Sequence, residues 1–149
     1  MPRIVAALAL AAGLLLAAAF ASAFLGSGAW HETLGWMAAG AAAGVHGLSA
    51  LALAWWGRRI VARSVGLGLP TRVEAQAERN RGKALACQAL GLGTIALAAW
   101  SAWACPGPWH RGLTALALGF QPGAFVAEAV MVAAQGRLAR EVDAMAGEV

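Results

Sequence analysis

The chain has 149 residues, of which 60% are apolar and only 12% charged, and a mean hydropathy of +0.66. That balance excludes an ordinary water-soluble domain, and an apolar share rich in Ala, Leu, Gly and Trp with no Tyr suits close helix packing in lipid better than a globular core. The net charge of +4 does not indicate nucleic acid as a partner, because ten of the eleven Lys and Arg flank apolar runs on one side of the predicted topology.

The first apolar run, Ile4 to Leu25, is long enough to cross a hydrocarbon core of roughly 30 Å. Arg3 and Ala21-Ser22-Ala23 imitate a signal peptide, but the run exceeds a usual h-region, and a retained span is expected. Gly26 to Thr33 forms a tight turn with Trp30 at headgroup level. The second span is Leu34 to Trp56, in which Gly40, Gly44 and Gly47 make a small-residue, helix-packing stripe.

Residues 57–83 read as a basic cytoplasmic loop. Arg58, Arg59, Arg63, Arg79, Arg81 and Lys83 orient the chain and meet anionic headgroups. Pro70-Thr71 marks a turn with Thr71 as N-cap, so Arg72 to Lys83 is a candidate helix leading into the third span, Ala84 to Ala104. The turn Cys105 to Arg111 precedes a fourth span, Gly112 to about Gln135, and residues 136–149 form a short amphipathic tail.

The fold expected is therefore all-α: one polytopic membrane domain with four transmembrane helices in two hairpins and no longer repeat beyond their Ala/Gly-rich character. Ten cations on one side against Arg111 on the other predict N-in, C-in in a bacterial-type cytoplasmic membrane. Cys87 and Cys105 fall at opposite ends of the third span and are not expected to pair. The seven tryptophans sit mostly near span ends, as an aromatic belt.

Ionisable groups within spans are costly and are the first candidates for chemistry. Counted from the cytoplasmic ends, His46 lies about 15 Å deep and Glu128 roughly 12 Å deep at 1.5 Å per residue, so the two can face each other. One reading is a proton-carrying or cation-binding pair. The other is packing, with Glu128 bonded to Gln88 and His46 to a backbone carbonyl. Gln121 precedes Pro122, which removes a helix hydrogen bond, and is placed to satisfy the freed carbonyl in a kinked fourth span. His31 and His110, in the two outer turns, are weak candidates for a surface metal site, since no third ligand is defined. No other metal and no cofactor is implied. A b-type haem would need two axial ligands, and His46 is the only mid-membrane histidine. No nucleophile has a base at motif spacing, so no enzyme is expected.

Two segments carry a family likeness. Leu34-Gly35-Trp36-Met37-Ala38-Ala39-Gly40 through Gly44 to Trp56-Gly57-Arg58-Arg59, and Leu118-Gly119-Phe120 through Glu128, resemble the Gly-rich second helix and the last helix of the ATP synthase I-chain family. They cover about a third of the chain, and His46 stands where that family often has Asn. The resemblance implies a non-catalytic helper of the F-type ATP synthase ring. The functions expected are an accessory or assembly subunit of a larger membrane complex or, alternatively, a small proton- or cation-linked transporter or channel using Glu128 and His46. The partners expected are the lipid bilayer and other membrane-protein subunits, with a homo-oligomer also compatible.

Overall fold

The computed structural model describes residues 2–24, 28–68, 71–105 and 107–147. They form four helices and no strand: α1 (Pro2–Phe24), α2 (Gly28–Leu67), α3 (Thr71–Ala104) and α4 (Pro108–Gly147). All four are long and apolar enough to cross a membrane, and they make two hairpins.

Three helices are longer than a bilayer needs. At 40 residues each, α2 and α4 extend about 60 Å, twice a hydrocarbon core of roughly 30 Å. The segment 57–83 is accordingly not a loop. α2 continues to Leu67, and α3 starts at Thr71 after a turn at Gly68, whose φ of +61° suits a residue without Cβ. Charge density suggested a loop, yet Arg, Glu, Gln and Ala are good helix formers wherever water takes their charged ends. The tail is helical too, because α4 runs through Pro122 to Gly147. Pro70 and the side chain of Thr71 lie outside the described residues.

The extensions pack on one another. Ile60, Ala77, Ala139 and Val142 are buried together at the arginine-rich end, with Trp56 and Leu138 against them. Ser64 donates to Glu74 at 2.9 Å across the α2–α3 turn, and Asp143 pairs with Arg59 at 2.7 Å and Arg63 at 3.6 Å.

The two hairpins are copies of one another. Ser22, Gly28, Trp30, His31, Gly40, Gly44, Gly57 and Arg58 recur at a constant offset of 79 as Ser101, Gly107, Trp109, His110, Gly119, Gly123, Gly136 and Arg137. The packing obeys the same operation. α2 touches α4, each also touches the first helix of the other hairpin, and α1 does not meet α3 among the described residues. A Cβ placed on Gly136 would touch Trp56 Cε2 at 3.7 Å, and one on Gly57 would touch Gln135 Nε2 at 3.8 Å. Since Trp56 and Gln135 are themselves 79 apart, this contact is reciprocal, as a two-fold axis between α2 and α4 along the bundle requires. The repeat escapes a reading by composition, because most of its matching positions are Gly and Ala in a chain rich in both.

Gly40, Gly44 and Gly47 are exposed, with no atom of another helix within 4 Å of an added Cβ. They do not pack the helices of this chain together. Close approach occurs instead at Gly57, Gly91 and Gly136.

Candidate functional site

At mid-bundle the helices bury what lipid would reject. His46 is 1% exposed, and Glu128 and Gln121 are fully enclosed. His46 Nδ1 lies 2.5 Å from Glu128 Oε1, and His46 Nε2 lies 3.0 Å from Gln121 Oε1. The amide nitrogen of Gln121 donates to the Gly91 carbonyl at 2.7 Å and to Thr94 Oγ1 at 3.3 Å. Gln88 Nε2 donates to the backbone carbonyl of His46 at 3.3 Å. The similar depths of His46 and Glu128 thus reflect a direct contact. Two other expectations fail. Gln88 bonds the His46 carbonyl rather than Glu128, and Gln121 reaches across to α3 instead of serving its own helix at Pro122. In both cases the neighbouring helix presents an acceptor at the side chain's own level, so the longer-range partner wins.

These contacts fix most of the protons. The Gly91 carbonyl can only accept, so Gln121 turns its NH₂ toward α3 and its oxygen toward the imidazole. His46 Nε2 must then carry a hydrogen. One proton remains for the short contact between Nδ1 and Oε1, and the pair exists either as imidazole with carboxylic acid or as imidazolium with carboxylate, isomers that differ by one short transfer. Glu128 Oε2 has no hydrogen-bond partner, nor does the buried Ser49 Oγ three residues beyond His46 on α2.

The space for this network comes from one glycine. A Cβ on Gly91 would stand 2.6 Å from His46 Nε2 and 2.7 Å from Cε1, closer than real atoms approach, and the ring is held on both nitrogens. Gly91→Ala should therefore displace the imidazole and cost about 1–3 kcal/mol of stability, as overpacking of a close-packed site does. Thermal unfolding in detergent, compared with Gly93→Ala on the exposed face of the same helix, measures it; equal effects at 91 and 93 would show that the ring is free to move.

The internal repeat supplies a contrast. The counterparts of His46, Gln121, Gly91 and Gln88 in the other half are Phe125, Ala42, Ala12 and Ala9. They form an apolar cluster completed by Val45 and Leu16. His46 and Phe125 meet near the axis with ring centroids 5.3 Å apart. One architecture thus appears twice, polar on the α3 side and apolar on the α1 side.

The polar residues continue beyond the pair. Thr114, Gln121, Glu128 and Gln135 follow at intervals of seven on α4, and Asn80, Cys87, Thr94 and Ser101 do so on α3. Seven residues are nearly two turns, so each set keeps to one face, and the two faces meet where Gln121 donates to Thr94. Asn80 Nδ2 donates to Gln135 Oε1 at 3.2 Å toward the arginine-rich end. The sevenfold spacing was visible in the sequence and is the signal that would have added Thr94, Asn80 and Gln135 to the candidates.

No known protein family, curated protein or solved structure matches this chain. The likeness to the ATP synthase I-chain family therefore has no support from relatives.

The remaining candidates lie at the two ends. His31 and His110 are close, with ring centroids 5.9 Å apart, and line a cavity of about 410 Å³ with Glu32, Thr114 and Trp36. Among the described residues, no third His, Cys, Asp or Glu completes a metal-binding group with them. Arg58, Arg59 and Arg63 line an open groove with Trp55, and the Arg59 guanidinium lies 5.8 Å from the Trp55 ring. Arg79, Arg81 and Lys83 are exposed on α3. Cys87 and Cys105 are free thiols.

Proposed function

We propose that the protein is a small proton-linked transporter or proton conductor in which the His46–Glu128 pair carries the moving proton. The observation behind this reading is the buried polar column on α3 and α4, centred on a pair that holds a single transferable proton and has a free carboxylate oxygen. Ionisable and amide groups at the depth of His46, Gln121 and Glu128 are expensive, and Thr114 and Gln135 carry the same face of α4 to the two ends of the span. The cavity beside His31 and His110 reaches Ala39, two turns before His46, and Gln135 lies two turns beyond Glu128. Ten Lys and Arg at or near the opposite end, against Arg111 at the histidine end, favour a cytoplasmic location for the arginine-rich end, with both termini inside.

The test is proton flux into liposomes containing the purified chain and a trapped pH-sensitive dye, under an imposed potential. Glu128→Gln keeps the size and most hydrogen bonds of the side chain but cannot exchange a proton, and it is expected to reduce flux at least about 10²-fold, the lower bound of a positioned acid–base group's contribution. Wild-type flux no greater than that of empty liposomes would exclude the reading.

One observation favours a second reading. Gly40 and Gly44 on α2, and their counterparts Gly119 and Gly123 on α4, present small faces outward, as a subunit of a larger membrane complex would. Mild-detergent purification from the native membrane distinguishes the two: a stoichiometric protein partner supports a subunit role, and a chain recovered alone or only with itself opposes it.

A further inference from the structure

We propose that His31 and His110 form a two-coordinate site for a single soft monovalent cation, with Cu(I) the best chemical fit. The evidence lies in the hydrogen bonds behind the rings. Ser22 Oγ donates to the Ala19 carbonyl at 2.7 Å, and Ser101 Oγ donates to the Ala98 carbonyl at 2.7 Å. Each hydroxyl has spent its hydrogen, so each oxygen can only accept from the histidine that faces it. His31 Nδ1 lies 3.3 Å from Ser22 Oγ and 2.9 Å from the Ala19 carbonyl, and His110 Nδ1 lies 3.0 Å from Ser101 Oγ. Both Nδ1 atoms therefore carry hydrogen, and the lone pair of each imidazole is left for Nε2. Neither Nε2 has a hydrogen-bond partner among the described residues. An imidazole tied back through one nitrogen with the other free is the arrangement found behind metal-binding histidines, where the outer partner fixes tautomer and ring direction.

The separation agrees. With each nitrogen about 2 Å from an ion, two rings on one ion stand roughly 5–6 Å apart centre to centre, and here they stand 5.9 Å apart. That value lies at the wide end, where the angle at the ion is open. Two imidazole nitrogens, with no third His, Cys, Asp or Glu in the group among the described residues, suit a d¹⁰ monovalent ion, which accepts two-coordination. Zn(II) would require two further donors. Glu32, which lines the same cavity, supplies nearby negative charge. The two-fold repeat explains why the rings meet: Ser22–His31 and Ser101–His110 are one motif used twice, brought together across the axis. The transport reading is carried by the His46–Glu128 pair, which takes no part in this site, although Ser101 and the cavity belong to both.

The experiment is anaerobic titration of the purified chain with Cu(I) against a coloured Cu(I) chelator, in a Cys87→Ala/Cys105→Ser background so that no thiol competes. One Cu(I) per chain is expected. Loss of either imidazole, in His31→Ala or His110→Ala, should weaken binding by more than the roughly 10–100-fold that loss of an outer partner costs, while Ser101→Ala, which leaves both ligands in place, should fall within that range. Glu128→Gln should bind as the parent does. Helical content measured in parallel identifies any variant that fails to fold, and Ser101→Ala then still decides the matter, with Glu128→Gln as the control for a mutation elsewhere. Uptake equal to that of a His31→Ala/His110→Ala double variant, or uptake unchanged in Ser101→Ala, would overturn the proposal.

Discussion

Glu128→Ala is expected to destabilise the protein by about 3 kcal/mol, although an average interhelical hydrogen bond in a bilayer contributes only about 0.6 kcal/mol. The difference comes from what remains. His46 is tied through Nε2 to Gln121 and cannot turn away, so truncation leaves Nδ1 enclosed and unpartnered, and breaking a buried pair from one side costs about 3–5 kcal/mol. The lower end applies because Ser49 lies one turn from His46 and offers a hydroxyl that is already unsatisfied. His46→Ala should cost a similar amount, and the double variant should cost at least about 1 kcal/mol less than the sum, the coupling expected of residues in direct contact. Reversible unfolding in mixed detergent measures all three. Additivity would mean that the pair is not formed in solution.

Copying the apolar half of the molecule onto the polar half should restore stability and remove function. The substitutions follow from the repeat: His46→Phe, Gln121→Ala, Gly91→Ala and Glu128→Ser reproduce Phe125, Ala42, Ala12 and Ser49. Each is strongly destabilising or unhelpful alone, and Gly91→Ala in particular collides with the imidazole. Together they remove the imidazole, the carboxyl group and the Gln121 amide, leaving a serine hydroxyl as at Ser49, and the phenyl ring introduced in place of His46 would pack as Phe125 already packs against Ala12 and Ala42. Replacing buried charged networks by well-packed apolar groups is often neutral or stabilises by about 1–4 kcal/mol, so the fourfold variant should unfold no earlier than the wild type. A large loss of stability would instead assign the polar network to holding the bundle together.

The four helices were legible because apolar runs of bilayer length leave few alternatives, and His46 and Glu128 because lipid makes ionisable groups conspicuous. The lengths of α2 and α4 were not. Hydropathy reports where lipid ends, whereas a helix goes on as long as its backbone is satisfied, so residues 57–67 read as loop, while the helix expected over Arg72 to Lys83 is the start of α3. Gln88 and Gln121 were recognised as candidates, but their partners depend on which helix presents a carbonyl at their level, and no sequence spacing encodes that. Gly91 had no distinguishing mark among the chain's 19 glycines. Its role becomes visible only when the repeat aligns it with Ala12 and the structure places His46 over it.

The most direct test is proton flux measured side by side for the wild type and the fourfold His46→Phe/Gln121→Ala/Gly91→Ala/Glu128→Ser variant in liposomes of the same composition. A variant that folds and unfolds like the wild type but conducts no more than empty liposomes would show that the polar half exists for proton movement. Equal flux through both would contradict the assignment of that movement to His46 and Glu128.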